Sequence, residues 1–249
     1  MHASVRVVFV LAALACPLAH AAVAEAPAVT PFSSAKPGSM PDGWKPLDFG
    51  PHKRATEYSL VEEDNQVILH AHADKAASGL VHPVHSDIRD TPILHWRWKI
   101  SHVIADADNR VAGKEDSPVR IVLAFDGDKS RLASKDRRAS ALVKSVTGRD
   151  LPYAQLVYIW SPSIPVGTVV PHPRSERTRM VVATSGGARA GQWVTLSRNV
   201  VEDFRRAFGE DRCARPHADA VRESHGGGAA HRARIRRCGI RQDPSRKGA

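Results

Sequence analysis

Three side chains that can carry positive charge alternate along residues 94–100, whose sequence is Leu-His-Trp-Arg-Trp-Lys-Ile. On a strand, His95, Arg97 and Lys99 share one face and stand about 7 Å apart. A row of this kind can bind a carboxylate, an acidic sugar or a phosphate. The same cations can instead form structural ion pairs with neighbouring strands, and the sequence leaves both interpretations open. The candidate partners in such pairs are Glu62, Glu63 and Asp116.

The opposite face of the same strand is apolar and predicts a core position. It carries two tryptophans, Trp96 and Trp98, and losing one buried tryptophan costs about 3–5 kcal/mol. A second strand is predicted at Val119–Phe125, where Arg120 alternates with apolar residues. We therefore expect Arg120 to join the basic row as a fourth ligand-binding residue.

Metal binding is the weaker interpretation of the histidines. His70 and His72 share one strand face, and paired imidazoles can bind Zn²⁺. No acidic or cysteine ligand stands at a fixed spacing from them, so the sequence predicts neither a metal site nor a cofactor. A polar loop over 104–117 offers carboxylates for glycosidase chemistry, which keeps a hydrolytic enzyme as an alternative. Its acidic residues are Asp106, Asp108, Glu115 and Asp116.

The first 21 residues have the pattern of a secretory signal peptide. Arg6 precedes an apolar run over 7–15, and Ala19-His20-Ala21 fits a small-x-small cleavage site. We predict cleavage before Ala22, a linker over 22–31, and a periplasmic or secreted protein with no integral membrane segment after cleavage. The segment 22–211 has no cysteine, so its core must hold it together without disulfides.

Residues 32–211 are predicted to form an all-β antiparallel sandwich of the jelly-roll kind, with one or two short helices. Apolar residues alternate with polar ones along many short segments separated by turn signals. The segments Glu57–Val61 and Gln66–His72 flank a polar turn and predict a hairpin. Only Ser134–Val146 and Val200–Phe208 have helical periodicity. The remaining predicted strands are Ser78–Pro83, Ile93–Ser101, Ala154–Trp160, Arg177–Ser185 and Gln192–Asn199.

The chain changes character after residue 211. The whole protein has a net charge of +10, and residues 212–249 contribute +7 of it, from nine Arg and one Lys against three acids. The high pI therefore reflects the tail, and we predict no nucleic-acid partner for the domain. A segment this poor in large apolar residues is predicted to be a basic disordered tail.

A second interpretation of the tail is translation out of frame. Arg, Ala, Gly, His and Pro are the residues that a wrong frame of a GC-rich gene produces. A two-base shift across 234–243 permits the reading Ala-Tyr-Gly-Asp-Ala-Ala-Phe-Ala-Arg-Thr, which alternates like a strand. Resequencing the gene tests this prediction, because an open frame through the present tail would refute it.

Several ordered motifs resemble one family of bacterial secreted proteins, the domain of unknown function 3047 family. The resemblance covers roughly 32–210 and implies the sandwich fold and export, but no reaction, because the family has no established activity. Its members continue with a Tyr-Gly-Asp-like strand, which this chain has only in the shifted frame. The motifs are the strings at 94–99, 116–121, 125–127, 156–160, 165–168, 179–181, 191–194, 198–200 and 203–205.

The favoured function is a non-catalytic sandwich that binds a saccharide or another anionic ligand on the face of His95, Arg97, Lys99 and Arg120. Two other functions stay open at this point. One is a carbohydrate-active or other hydrolase that uses the acids of 104–117, and the other is an envelope interaction or structural module.

Overall fold

Two β-sheets pack face to face in the computed structural model, which describes residues 29–40, 42–48, 54–84, 88–89, 91–148, 150–210, 218–225 and 231–241. The all-β sandwich predicted from the sequence is confirmed. The elements are β1 Lys45–Asp48, β2 Glu57–Glu63, β3 Gln66–Ala73, β4 Ser78–Val84, β5 Ile93–Ile100, β6 Arg120–Phe125, α1 Ser134–Thr147, β7 Ala154–Ser161, β8 Val169–His172, β9 Ser175–Ser185, β10 Val194–Asn199, α2 Val200–Phe208, β11 Ala218–His225 and β12 His231–Arg241.

The larger sheet has seven strands in the order β1-β4-β11-β6-β7-β9-β8, and the smaller has five in the order β10-β5-β12-β3-β2. Neighbouring strands run antiparallel except β7 and β9, which are parallel. The chain leaves β7, forms β8 at the sheet edge and returns as β9 between them. The 161–168 connection therefore passes the end of β9, and Ile164 within it is buried in a cluster with Val157 and Ile159.

The predicted hairpin and both helices are present. Asp64 and Asn65 join β2 to β3 with φ of 51° and 56°, the left-handed pair that a two-residue hairpin turn requires. Helix α2 begins after Asn199, whose side chain accepts hydrogen bonds from Val201 N–H at 3.1 Å and Glu202 N–H at 3.3 Å. Strands β1 and β8 have four residues each. Alternation of apolar and polar residues over so short a stretch does not identify a strand in the sequence.

The core lies between the sheets and is rich in aromatic rings. The Trp96 ring centroid lies 5.0 Å from that of Tyr158, and Trp98 lies 6.1 Å from Trp160. All four side chains are almost fully buried, which confirms the apolar face predicted for β5. Phe204 brings α2 onto the core, with its centroid 4.8 Å from that of Phe125.

The core also includes residues before Phe32. Val29 and Phe32 are both fully buried, so the sandwich begins by Val29 and the predicted linker over 22–31 is too long at its end. The predicted signal peptide lies outside the described residues. Across the described parts of the chain, none of the helices has the length and apolarity that a membrane-spanning helix needs.

Two stretches of the predicted disordered tail are strands in the structure. β11 lies between β4 and β6, and β12 lies between β3 and β5. Strand pairing uses backbone groups, so an arginine-rich segment can fill such a position. Ile235 takes the register position between Leu69 and Trp98. Glu223 takes the position between Leu80 and Ile121.

Candidate ligand-binding site

The predicted basic row of β5 lies on the outer face of the five-stranded sheet. Burial alternates along the whole strand, and the row residues are partly exposed. The strand thus has the two faces that its sequence predicts.

Side chains from distant parts of the chain contact the cations of this row. Lys99 Nζ donates to Glu63 Oε1 at 2.5 Å, and both side chains are about four-fifths buried. The indole of Trp193 lies beside both cations, with Arg97 Cζ 5.5 Å and Lys99 Nζ 5.1 Å from the ring centroid. Trp193 Nε1 also donates to Glu63 Oε1 at 3.3 Å. Lys99 therefore forms a structural ion pair, which is one of the two interpretations left open by the sequence.

Arg120 does not join the row, contrary to the prediction. It belongs to β6 in the other sheet, and alternation with the core residue Ile121 places it on the outer face of that sheet. The sequence shows strand alternation but not which sheet a strand enters, so two polar faces were taken for one.

Arg120 lines a cleft of about 800 Å³ on the outer face of the seven-stranded sheet. The floor of this cleft is apolar and includes Val122, Val157 and Met180 from three adjacent strands. Helix α1 forms one wall with Ala139 and Ser140, and the β8–β9 turn contributes His172 and Arg174. Lys135 of α1 forms an ion pair with Glu176 of β9, which ties the wall to the sheet.

The Arg120 guanidinium is poorly compensated for a buried cation. Its side chain is 19% exposed, and its nearest carboxylate contact is Nη2 to Asp116 Oδ1 at 3.9 Å. Its Nε is buried and makes no hydrogen bond with any atom that the structure describes. Burial lowers the pKa of Arg120, although the charges of Asp116 and Glu115 oppose the shift.

A second set of groups surrounds His172. Its Nδ1 accepts a hydrogen bond from Arg174 N–H at 3.2 Å, so the neutral ring carries its hydrogen on Nε2. Burial lowers the pKa of His172, Glu115 raises it, and Arg120 and Arg174 lower it further. Glu115 in turn accepts from Arg174 Nη2 at 2.6 Å. At neutral pH the cleft therefore offers a neutral imidazole donor beside the Arg120 cation, while Arg174 is paired with Glu115.

The acidic loop over 104–117 is tightly folded on itself. Asn109 is fully buried, and its Nδ2 donates to Asp116 O at 3.0 Å. The hydrogen bonds of Asp108 with Arg110 lower the pKa of that carboxyl to about 2. Burial raises the pKa of Glu115, but backbone N–H groups and Arg174 outweigh it, so the net shift is downward. Both carboxylates are ionised at neutral pH.

The sequence profile of one family, described as protein of unknown function (DUF3047), matches residues 42–222. The chain belongs to this family. The resemblance drawn from the motifs is therefore confirmed. No curated protein matches the chain.

Solved structures similar to this DUF3047 domain share little sequence with it. The xyloglucanase domain of NopAA from Sinorhizobium fredii, solved with cellobiose, is 8% identical with a TM-score of 0.42, over 85% of this chain and 99% of that one. A mutant ENZbleach xylanase is 9% identical with a TM-score of 0.36, over 84% and 89%. The family 11 xylanase from Neocallimastix patriciarum is 8% identical with a TM-score of 0.32, over 83% and 91%. Similarity at this level carries no inference about activity.

Sequence analysis missed one buried charged cluster of the DUF3047 domain. Asp203 of α2 is 4% exposed and forms ion pairs with Arg198, and with Arg206 at 2.8 Å. It also accepts from the hydroxyl of Tyr158 at 2.9 Å. We call these four residues the Asp203 cluster. The spacing of Arg198, Asp203 and Arg206 around the start of a helix was the available signal.

His172 and the floor of the cleft were also missed, because nothing marks them in the sequence. Val122, Val157 and Met180 look like ordinary strand residues, and His172 stands in a Pro-His-Pro string at the end of β8. Only the pairing of β6, β7 and β9 brings them together. Within the described residues, no group of three or more His, Cys, Asp or Glu has a geometry suited to a metal ion.

Proposed function

We propose that this DUF3047 domain is an exported, non-catalytic binding module. Its ligand is a small molecule with a carboxylate or similar anionic group, such as an acidic saccharide, and it occupies the cleft beside Arg120. The observation that carries this proposal is the largely buried Arg120 guanidinium, which lines the cleft. Among the described residues its Nε has no hydrogen-bond partner and its carboxylate contact is at 3.9 Å.

Desolvation makes a poorly paired cation such as Arg120 costly to the fold. Removing a charge from water is costly unless it gains close, well-oriented partners. A contact of 3.9 Å to Asp116 is too long for a hydrogen bond. A ligand carboxylate would supply short, charge-assisted hydrogen bonds to the planar guanidinium, so an anion is the ligand group that best completes this site.

The other cleft groups fit the rest of such a ligand. The Nε2–H of His172 donates to a hydroxyl or carboxylate oxygen, because Nδ1 is occupied by the Arg174 N–H. The apolar floor of Val122, Val157 and Met180 provides contact for the C–H face of a sugar ring. An apolar surface with a few directed polar groups is the usual composition of small-molecule sites.

Binding is favoured over hydrolysis by the ion pairs that two of the loop acids, Asp108 and Glu115, form with arginines. Glycoside cleavage needs a carboxylic acid whose pKa is raised, so that it can protonate the leaving oxygen. The pKa values of Asp108 and Glu115 are instead lowered. These carboxylates are suited to the ion pairs with Arg110 and Arg174 that they form.

The test is calorimetric titration of the mature protein with galacturonate, glucuronate and a neutral methyl galactoside, after a glycan-array screen for longer ligands. We expect the acidic sugars to bind and Arg120→Met to weaken them at least tenfold, or about 1.4 kcal/mol. The matched control is Arg189→Met, since Arg189 is exposed on the turn after β9. Equal affinity of the Arg120→Met variant, or no binding of any acidic sugar, would refute the proposal.

Two further measurements separate the alternatives. Release of shorter products from any bound oligosaccharide would identify a hydrolase instead. Intact-mass measurement of exported protein checks the compartment, and we expect its first residue to lie near Ala22. Retention of Met1 in the exported protein would contradict cleavage.

A further inference from the structure

Helix α1 is almost uncovered for an element of 14 residues. Among its described side chains Ser140 is the buried one, while Asp136 and Val143 are intermediate and the others are exposed. Helices of this length are marginal on their own in water and usually depend on packing of an apolar face. The helix thus lacks the apolar packing expected of it.

The contacts that hold α1 are polar. Ser140 Oγ donates to Asp150 at 3.0 Å, and Lys144 Nζ lies 3.4 Å from the same carboxylate. Arg137 donates to the carbonyl of Leu132 at 2.8 Å. These contacts are made to the segments that flank the helix, and they leave an outer side around Leu142 and Val146 exposed among the described residues.

That outer side combines aliphatic and basic residues. Leu142 and Val146 stand one turn apart and are 65% and 76% exposed. Arg138 lies one turn before Leu142 and is exposed. Residues 129–150 hold seven basic and two acidic residues, a net charge of +5, although the domain before the tail is close to neutral. We call Arg138, Leu142 and Val146 the α1 surface.

We propose that the α1 surface docks on an anionic phospholipid membrane, with Leu142 and Val146 at the boundary between headgroups and acyl chains. Lipid-binding helices that lie on a membrane have this composition, an aliphatic stripe flanked by Lys and Arg. Each basic residue near an anionic leaflet adds attraction that salt screens. The surface fits a protein partner less well, because interface anchors are mostly aromatic and 134–147 has no aromatic residue.

Docking in this orientation has a consequence for the cleft. Helix α1 is one of its walls, through Ala139 and Ser140. A membrane bound to the outer side of α1 therefore lies beside the cleft, and its ligand is encountered at the membrane surface.

The experiment is co-sedimentation of the mature, full-length protein with phosphatidylcholine vesicles and with vesicles that also contain phosphatidylglycerol. We expect binding to the anionic vesicles at low salt, loss of that binding at high salt, and little binding to phosphatidylcholine alone. Leu142→Ser with Val146→Ser should lower the bound fraction at least about fivefold, because the aliphatic contact is removed. Arg138→Glu should lower it on anionic vesicles only.

The matched control is Val111→Ser with Val166→Ser. These valines are 45% and 60% exposed in loops elsewhere, and their replacement should leave vesicle binding unchanged. Thermal unfolding of each variant verifies that it is folded. Absence of binding to anionic vesicles, unchanged binding of the Leu142→Ser/Val146→Ser variant, or an equal loss in the control would each overturn the proposal.

Discussion

Two buried charges of this domain, Asp203 and Arg120, have opposite surroundings. The Asp203 carboxylate accepts hydrogen bonds from Tyr158, Arg198 and Arg206. The Arg120 guanidinium has one carboxylate contact, at 3.9 Å, and an Nε without a partner among the described atoms. Asp203 is the more deeply buried of the two, with 4% of its side chain exposed against 19% for Arg120, but the larger difference is in their partners.

The comparison separates a charge that serves the fold from one that is available to a ligand. The Asp203 cluster joins β7, β10 and α2 around a single carboxylate, and removing that carboxylate would leave two guanidinium groups uncompensated. Among the described residues, the carboxylate contact of Arg120 is with Asp116 at 3.9 Å, so we expect the fold to lose little without it. A buried charge that is costly to the folded protein and unpaired is a reasonable place to look for function.

The largest loss of stability is expected for the Asp203 cluster. Asp203→Asn should lower the free energy of unfolding by about 2–3 kcal/mol, because it removes a buried carboxylate that pairs with Arg198 and Arg206. The partial exposure of the two arginines keeps the loss below that of a fully buried pair. Denaturant unfolding of the purified protein measures the loss. Glu202→Gln on the same helix is exposed and should change the free energy by less than about 0.5 kcal/mol. Similar stabilities for the two variants would show that the cluster is not structural.

An intermediate effect is expected for the basic row of β5. Replacing Arg97 and Lys99 together with Ala should cost about 1–2 kcal/mol, since the partly exposed Lys99–Glu63 pair is discounted for solvent screening. It should leave acidic sugar binding unchanged. Loss of ligand binding with no change in the unfolding midpoint would instead make the row the binding site, as the sequence first suggested.

The smallest effect on stability is expected at Arg120. Arg120→Met should shift the free energy of unfolding by less than about 1 kcal/mol in either direction, because apolar replacement of a poorly paired buried charge is often neutral or stabilising. The same variant should lose the acidic ligand. A destabilisation above about 2 kcal/mol would place Arg120 with Asp203 among the structural charges and would break the comparison.

Most of the elements could be predicted from local patterns. The β2–β3 hairpin, the two faces of β5 and both helices follow from the spacing of apolar residues and from turn and cap residues. The ends of the domain were harder to predict. Val29 lies in the core, although the domain was predicted to start at residue 32. The tail could not be predicted from its composition. That composition predicts disorder, but β11 and β12 lie within the two sheets and pair through backbone hydrogen bonds.

The candidate site could be predicted only in part. Arg120 was selected as a cation on a polar strand face, but that face belongs to the other sheet. Its neighbours His172 and Arg174 follow it by some fifty residues, and Val157 and Met180 reach the cleft because β9 inserts beside β7. Long-range pairing of this kind has no local signature in a single sequence.

The sequence by itself determined the two-sided strands, the helices and the family, because alternation and turn chemistry act over a few residues. The tertiary structure decided which charges are satisfied. Lys99 gained Glu63 and Trp193, Asp203 gained two arginines and a tyrosine, and Arg120 was placed beside an open cleft without a close partner. The energy of a buried charge depends on groups within a few ångströms of it, and folding brings those groups from distant parts of the chain.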